Sequence, residues 1–503
     1  MAAIPQHAEV AVIGAGTMGA GIARVAAAAG HPVVLYDTRE GAAARAIDEI
    51  RTDLDRQVER GRVQRADAEE LVRRLHPALH VDVFGRARLV VEAIVEDRAA
   101  KIALFRELEG IVASDAILAT NTSSISVNAI GGALRHPERC VGMHFFNPAH
   151  LMPLVEVVAP LTASEDAVAT VIATAEAWGK RAIRVGSSPG FVVNRVARPY
   201  YAEALRTRSD FAARVATIDA AMTEAGGFKM GPFRLMDMIG NDVNFAVTRS
   251  VFEAFFFDRR FAPSLLQQEL VDAGRLGRKS GRGYYDYGAD APTPDVDEAE
   301  PGPMPRTVVA HGDLGVAQPL AALARARGIR VDMRPGNDAY LEVDGVALRL
   351  TDGALAAEHD RLQPTVLFDL ALDYAACGRV VIAGGPGAEG ERRAAVAAGF
   401  LQALGKRVTV LADVPGLIVM RTVAAIANEA STMLAEHVDD DTIDLAMTLG
   451  VSYPLGPLAW GARIGWPQVM TVLENLCRLL GPDRYRPAAV LRMRALAAAR
   501  RTS

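Results

Sequence analysis

Four polar residues stand in stretches whose composition suits chemistry: Ser123 in NTSSIS, His144 in GMHFFNP, Glu156 in LVEVV and Asn194 in PGFVVNR. They follow a glycine turn, Gly14-Ala15-Gly16-Thr17-Met18-Gly19, directly after the apolar run Val10 to Ile13. Histidine titrates near neutrality and can take a hydroxyl proton with little tuning. A neighbouring carboxylate would fix its tautomer and stabilise the imidazolium formed on proton uptake. Glu156 is the candidate, since an unpaired charge inside the apolar segment Leu154 to Val158 would be costly. Ser123 can donate to or accept from a substrate oxygen, and the Asn194 amide can donate to one. Beside a bound nicotinamide, such a set is equipped to oxidise a secondary alcohol. Each residue also has a plainer account: a core histidine beside Phe145 and Phe146, a structural ion pair at Glu156, a helix cap in NTSS.

These residues need a scaffold. Glu9 to Ile13 reads as a buried strand, Met18 to Ala29 as an alanine-rich helix, and Val33 to Tyr36 as a second strand ending in Asp37. In the turn between strand and helix, Gly14 permits the bend, Gly16 admits a pyrophosphate and Gly19 lets helix and strand pack closely. Thr17 and Met18 lie where the turn passes into the helix, whose free N–H groups and dipole favour phosphate. Asp37 falls about 20 residues on, where a carboxylate accepts from the ribose hydroxyls. It would repel a 2′-phosphate, so NAD is expected rather than NADP, although Arg39 stands nearby. His144 follows the strand-like Arg139 to Met143, and Ser123 sits at a strand-to-helix turn. Asn194 belongs in the first turns of a helix after Pro189-Gly190-Phe191. A strand over Leu89 to Ile94 precedes Glu96 and Lys101, which taken alone read as a surface charge pair at a helix start. The arginine-rich stretch 38–75 reads as a solvated helical pair with ion pairs one turn apart.

At 503 residues the chain exceeds what one hydrophobic core usually holds. The expected organisation is an α/β Rossmann-type parallel-sheet domain (1–188), an all-α helical domain (189–290), a proline- and acid-rich linker poorly able to fold (291–305), a degenerate α/β region (306–413) and a second all-α domain (414–503). Duplication carries that reading. GKRAIRVGSSPGFVVNR (179–195) returns as GKRVTVLADVPGLIVMR (405–421), and TIDAAMTEAGGFKMGPFRLMDMIG (217–240) as TIDLAMTLGVSYPLGPLAWGARIG (442–465). The second copy has Met420 for Asn194 and Ala462 for Asp237. Its turn Gly312-Asp313-Leu314-Gly315 puts an acid where phosphate would sit, and the stretch aligned with HFFNP reads VVIAGGPG. This half is expected to be non-catalytic.

The formal net charge of −5 gives no general attraction to nucleic acid or anionic membranes. No apolar run is long enough for a membrane span, and MAAIPQHAEV lacks the marks of a signal peptide. Three scattered cysteines suit a reducing cytoplasm and supply neither a disulfide framework nor a zinc site, so no metal is expected.

At the quoted motifs the chain resembles the L-3-hydroxyacyl-CoA dehydrogenase family, in its long bacterial form linked to phenylacetate breakdown. The resemblance implies reversible, NAD-dependent oxidation of an (S)-3-hydroxyacyl-CoA to a 3-oxoacyl-CoA, with a short or dicarboxylic acyl group such as 3-hydroxybutyryl or 3-hydroxyadipyl. It implies His144 as base, Glu156 as its partner, and Ser123 and Asn194 as substrate ligands. It further implies cofactor contacts at Glu96, Lys101 and Lys279, coenzyme A on the helical arm, and a possible homo-oligomer with an intrachain pseudo-dimer of the two helical domains. Arg195, Arg198, Arg206 and Arg208 read as surface helix charge, with contact to a dicarboxylate tail as the alternative. Two rival functions remain: a β-hydroxyacid dehydrogenase with a catalytic lysine, and a crystallin-like relative without turnover.

Overall fold

Valine-rich runs alternating with alanine-rich stretches build the N-terminal part as strands and covering helices. The structure, a computed structural model, describes residues 2–210 and 213–502, and the chain divides into two compact units after Arg195. The first unit holds β1 (Glu9–Ile13), β2 (Val33–Tyr36), β3 (Leu75–Pro77), β4 (Ala87–Glu92), β5 (Ile117–Thr120), β6 (Cys140–Phe145), β7 (Leu154–Ala159) and β8 (Arg181–Gly186). They form one sheet in the order β3-β2-β1-β4-β5-β6-β7-β8. Every neighbouring pair is parallel except β6 and β7. The carboxyl ends of β1, β2, β4, β5 and β6 therefore share one edge, the edge where open parallel sheets bind ligands.

Several boundaries differ from expectation. The first helix is Thr17–Ala28, β4 ends at Glu92 rather than Ile94, and His144 lies within β6 rather than after it. Backbone pairing to β7 extends β6 through the histidine, which apolar periodicity alone had cut short. Between β2 and β3 the helices Ala42–Glu59 and Arg65–Arg73 carry Arg51–Asp48 and Arg73–Glu70 ion pairs one turn apart.

In the second unit, β9 (Val308–His311), β10 (Val331–Arg334), β11 (Tyr340–Val343), β12 (Val346–Leu350), β13 (Thr365–Phe368), β14 (Arg379–Ala383) and β15 (Arg407–Val410) form a second sheet, ordered β10-β9-β11-β12-β13-β14-β15. Here β11 enters antiparallel to β9, which breaks the all-parallel start of the first sheet. The helical copies of this unit repeat in detail. Asp219 accepts from the backbone N–H of Phe233 and Arg234 at 2.9 and 3.0 Å, and Asp444 from Leu458 and Ala459 at 2.8 and 2.9 Å. Each carboxylate caps a helix that begins with proline, Pro232–Ile239 or Pro457–Ile464.

Contacts also join the copies. Arg421 Nε donates to Glu203 at 2.7 Å, and Tyr485 donates to the same carboxylate at 2.8 Å. The rings of Tyr200, Phe228 and Tyr453 meet with centroids 4.9 to 5.6 Å apart. Residues 291–305 form no helix or strand, yet they are held in place, contrary to the expectation of a poorly folding linker. Ala299 N–H donates to Val408 O at 2.7 Å, and the buried Arg379 reaches Glu298 and Glu224 at 2.8 Å each. A fully desolvated guanidinium requires those acids, and sequence composition does not reveal it.

Pairing in the second sheet corrects the alignment of VVIAGGPG with HFFNP. β14 pairs antiparallel with β13 and parallel with β15, as β7 does with β6 and β8. Val380-Val381-Ile382-Ala383 is thus the counterpart of β7, with Val381 at the Glu156 position. Asp369, whose N–H donates to Val381 O at 2.8 Å, takes the register position of His144. Short apolar words align equally well with either strand, and only the pairing separates them.

Candidate active site

β6 reads CVGMHF and β7 reads LVEVVA, and their burial leaves His144 and Glu156 as a histidine and a carboxylate in otherwise mostly apolar strands. The register places the two residues directly opposite each other. His144 Nδ1 lies 2.7 Å from Glu156 Oε2. Phe146 and Phe191 flank the imidazole, with ring centroids at 4.6 and 5.6 Å. Glu156 is wholly buried, and its other oxygen accepts from the N–H groups of Val192 and Val193, both at 3.0 Å. These groups open the short helix Val193–Val196 that carries Asn194, just after Phe191 at φ 49°. One carboxylate thus holds the histidine with one oxygen and the start of the asparagine helix with the other.

Ser123 is set by a different acid. Oε1 of Glu96 accepts from Ser123 N–H at 3.0 Å, Ser124 N–H at 3.0 Å and the Thr122 hydroxyl at 2.6 Å. Burial works to raise the Glu96 carboxyl, but the Lys101 ammonium and these hydrogen bonds outweigh it and hold the group below its ordinary range. Lys101 is no surface partner: its side chain is 1% exposed and bridges Glu96 at 3.3 Å and Glu92 at 2.5 Å. Glu92 escaped the sequence reading, as did Asn121, whose Oδ1 accepts from Phe145 N–H at 2.8 Å and ties the serine loop to β6. An acid inside RLVVEA was the available signal, because a buried charge requires a partner.

The glycine turn fits a dinucleotide. A Cβ on Gly14, at φ 100°, would lie 2.4 Å from Ala93 O, and one on Gly19 would lie 1.7 Å from Gly14 O. A Cβ on Gly16 would meet nothing within 4 Å, so that residue is bare towards open space rather than towards protein. No side chain caps the helix at Thr17 and Met18. Beside the turn lies a cleft of about 790 Å3 lined by Gly14, Gly16, Met18, Asp37, Ile94 and Leu104. Asp37 accepts from Ala15 N–H at 2.8 Å and pairs with the exposed Arg39 at 3.1 Å. Burial pushes its carboxyl up, but the Arg39 side chain and the two backbone donors prevail and hold it at about 2. Lys279 lies in the second unit, where it pairs with Asp242 at 2.6 Å. Arg195 and Arg198 are 3% and 5% exposed, so they are not surface helix charge.

The NAD-binding domain of 3-hydroxyacyl-CoA dehydrogenases matches residues 9–188, and the C-terminal domain of those enzymes matches twice, at 190–287 and 416–502. A reduced Rossmann-fold domain of 3-hydroxybutyryl-CoA dehydrogenase matches 348–415. The chain is 44% identical to the 3-hydroxyadipyl-CoA dehydrogenase of Escherichia coli (strain K12) over 97% of both chains. The crystal structure of 3-hydroxybutyryl-CoA dehydrogenase from Escherichia coli K12 superposes with a TM-score of 0.88 at 43% identity, covering 98% of this chain and 99% of that one. The (S)-3-hydroxybutyryl-CoA dehydrogenase of Ralstonia eutropha superposes with a TM-score of 0.54 at 36% identity, covering 56% of this chain and 99% of its own. Among the described residues no helix is long and apolar enough to cross a membrane. With its dinucleotide turn, its buried His–Glu pair and these matches along the whole chain, the protein belongs to the 3-hydroxyacyl-CoA dehydrogenase family of NAD-dependent oxidoreductases.

Proposed function

We propose that His144 is the general base that removes the hydroxyl proton of an (S)-3-hydroxyacyl-CoA, with Glu156 as its orienting partner. The observation that carries this reading is the 2.7 Å contact of Nδ1 with a wholly buried carboxylate. A carboxylate only accepts, so the contact favours Nδ1–H and leaves Nε2 as the basic nitrogen. Nε2 takes the proton, and Glu156 stabilises the resulting imidazolium in a site lined by Phe146 and Phe191. The Ser123 hydroxyl and the Asn194 amide hold the substrate oxygens. NAD, when bound, supplies the acceptor for the hydride that leaves C3. Gly14, Gly16, Thr17, Met18 and Gly19 present backbone to its pyrophosphate, and Asp37 accepts from the ribose hydroxyls. Glu96, Lys101 and Lys279 are assigned to the cofactor side, with Glu96 also fixing the serine loop.

The full-length relative named for 3-hydroxyadipyl-CoA supports a dicarboxylic acyl group, with 3-hydroxybutyryl-CoA as the competing substrate. The Arg421–Glu203–Tyr485 cluster supports reading the two helical copies as an intrachain pseudo-dimer, around which whole chains can further assemble. Unpaired Cys140, Cys377 and Cys477 support a reducing cytoplasm. The test is NADH formation by the purified protein with each thioester, and with His144→Ala as control. Turnover that falls about 10,000-fold in the variant supports the assignment. No turnover of either thioester would leave a non-catalytic relative instead.

A further inference from the structure

β4 ends in an acid. Glu92 lies in register with Ile13 of β1 on one side and Thr120 of β5 on the other, and it is wholly buried. Its Oε1 accepts from Lys101 Nζ at 2.5 Å and from Ile94 N–H at 2.7 Å, and its Oε2 accepts from the Thr120 hydroxyl at 2.7 Å. From each oxygen a chain of contacts runs to the same loop. Through Oε1 it passes to Lys101 and then, at 3.3 Å, to Oε2 of Glu96. The other oxygen of Glu96 accepts from the N–H groups of Ser123 and Ser124, both at 3.0 Å. Through Oε2 of Glu92 the chain passes to Thr120 Oγ1, which accepts from Thr122 N–H at 3.2 Å. All of these residues belong to the first unit.

Stability alone is a poor account of this arrangement. A buried ion pair often gains nothing over apolar side chains of the same volume. The preceding residues of the same two strands, Leu89 to Val91 and Ile117 to Ala119, pack with no polar side chain at all. The acid comes only at the edge where the loop of Ser123 leaves β5.

We propose that Glu92 is a positioning residue for the alcohol oxidation. It anchors the Lys101 ammonium and the Thr120 hydroxyl, and through them it holds the loop that presents Ser123 to the substrate oxygen. The inference rests on the reading of Ser123 as a substrate ligand given above. With no exposed surface, Glu92 touches no reactant and acts through Lys101, Glu96 and Thr122.

The experiment is a double-mutant cycle on kcat/KM at saturating NAD, with whichever of 3-hydroxybutyryl-CoA and 3-hydroxyadipyl-CoA the wild type oxidises faster. Its four proteins are wild type, Glu92→Gln, Ser123→Ala and the double variant. Glu92→Gln keeps the shape and removes the charge that fixes the ammonium. It is expected to lower kcat/KM about tenfold when Ser123 is present and less than about twofold in the Ser123→Ala background, since aiming a hydroxyl matters only where there is one. A general loss of packing would lower both alike. Thr120→Val cuts the second route alone and should show the same coupling at smaller size. It carries the test if Glu92→Gln does not fold, which thermal unfolding reports. Equal losses in both backgrounds, with an active wild type, overturn this proposal alone. Weaker NAD binding in a fluorescence titration, with kcat/KM at saturating NAD unmoved, would assign Glu92 to the cofactor cleft and overturn it as well. Wild type that oxidises neither thioester overturns the functional reading and this proposal with it.

Discussion

Two turns of the same design end differently. Gly190-Phe191 and Gly416-Leu417 both place a bulky residue at positive φ, 49° and 54°, immediately before a helix. That backbone exposes N–H groups that need acceptors, and each copy supplies a buried carboxylate. In the first copy it comes from the outer strand of the antiparallel pair, as Glu156, and accepts from Val192 and Val193. In the second it comes from the position facing that strand, as Asp369, and accepts from Ile418, Val419 and Met420 at 2.7 to 2.9 Å. The shorter acid sits where the histidine would be, and Val381 fills the place of the glutamate. Capping the helix is therefore the shared structural duty, and holding an imidazole is an addition made only where the longer glutamate reaches both partners. The second half kept the cap and lost the dyad.

Converting one copy into the other gives the largest expected effect. In the double variant His144→Asp/Glu156→Val, NADH formation should fall at least about 10,000-fold while the fold persists. Glu156→Val alone should unfold more easily, since two buried N–H groups lose their acceptor at about 1–3 kcal/mol each. Restoring the cap through His144→Asp should recover much of that loss in a denaturant titration. A double variant no more stable than the single one would break the equivalence of the two turns.

Asp369→Ala should separate the duties from the other side. Three N–H groups are orphaned at once, so a loss of about 3 kcal/mol or more is expected, with kcat per folded molecule unchanged. Calorimetry beside turnover decides this, and a loss of kcat without a loss of stability would refute it.

Protonation sharpens the contrast. Burial pushes the Asp369 carboxyl up to about 6, against the four backbone N–H groups that oppose the rise. The folded protein then keeps a proton that the unfolded chain releases near pH 4. This group's contribution to stability is therefore greatest below about pH 4, declines as pH rises through about 4 to 6, and is flat above. Linkage puts the decline at about 3 kcal/mol. Asp369→Asn should flatten that slope in unfolding measured across the window. A residual slope is expected from Asp219, which burial also raises to about 6. An unchanged slope would show that Asp369 ionises alike in both states.

The smallest effect concerns the glycine turn. Gly16→Ala adds a methyl where the protein has nothing within 4 Å, so the unfolding midpoint should hardly move. NAD binding, measured by fluorescence titration, should weaken about tenfold as the backbone is kept from the pyrophosphate. Gly19→Ala should instead destabilise the fold, because its methyl meets Gly14 O. Equal effects from the two would remove the distinction between a glycine bare for a ligand and one bare for packing.

By itself the sequence determined what depends on near neighbours in the chain. The glycine turn with Asp37, the words around Ser123, His144, Glu156 and Asn194, and the repeated TID and PG segments are local chemistry, readable because a turn or cap uses residues a few positions apart. Tertiary structure decided what depends on pairing across long separations. It set Asp369, rather than a residue of β14, at the register position of His144, brought Glu92 and Lys101 together in the interior, pinned residues 291–305 through Arg379, and turned Arg198 inward. The physical reason is the same each time. Burying a charge or an N–H group requires a partner whose distance along the chain has no fixed spacing, so a local pattern can flag the need but not name the partner.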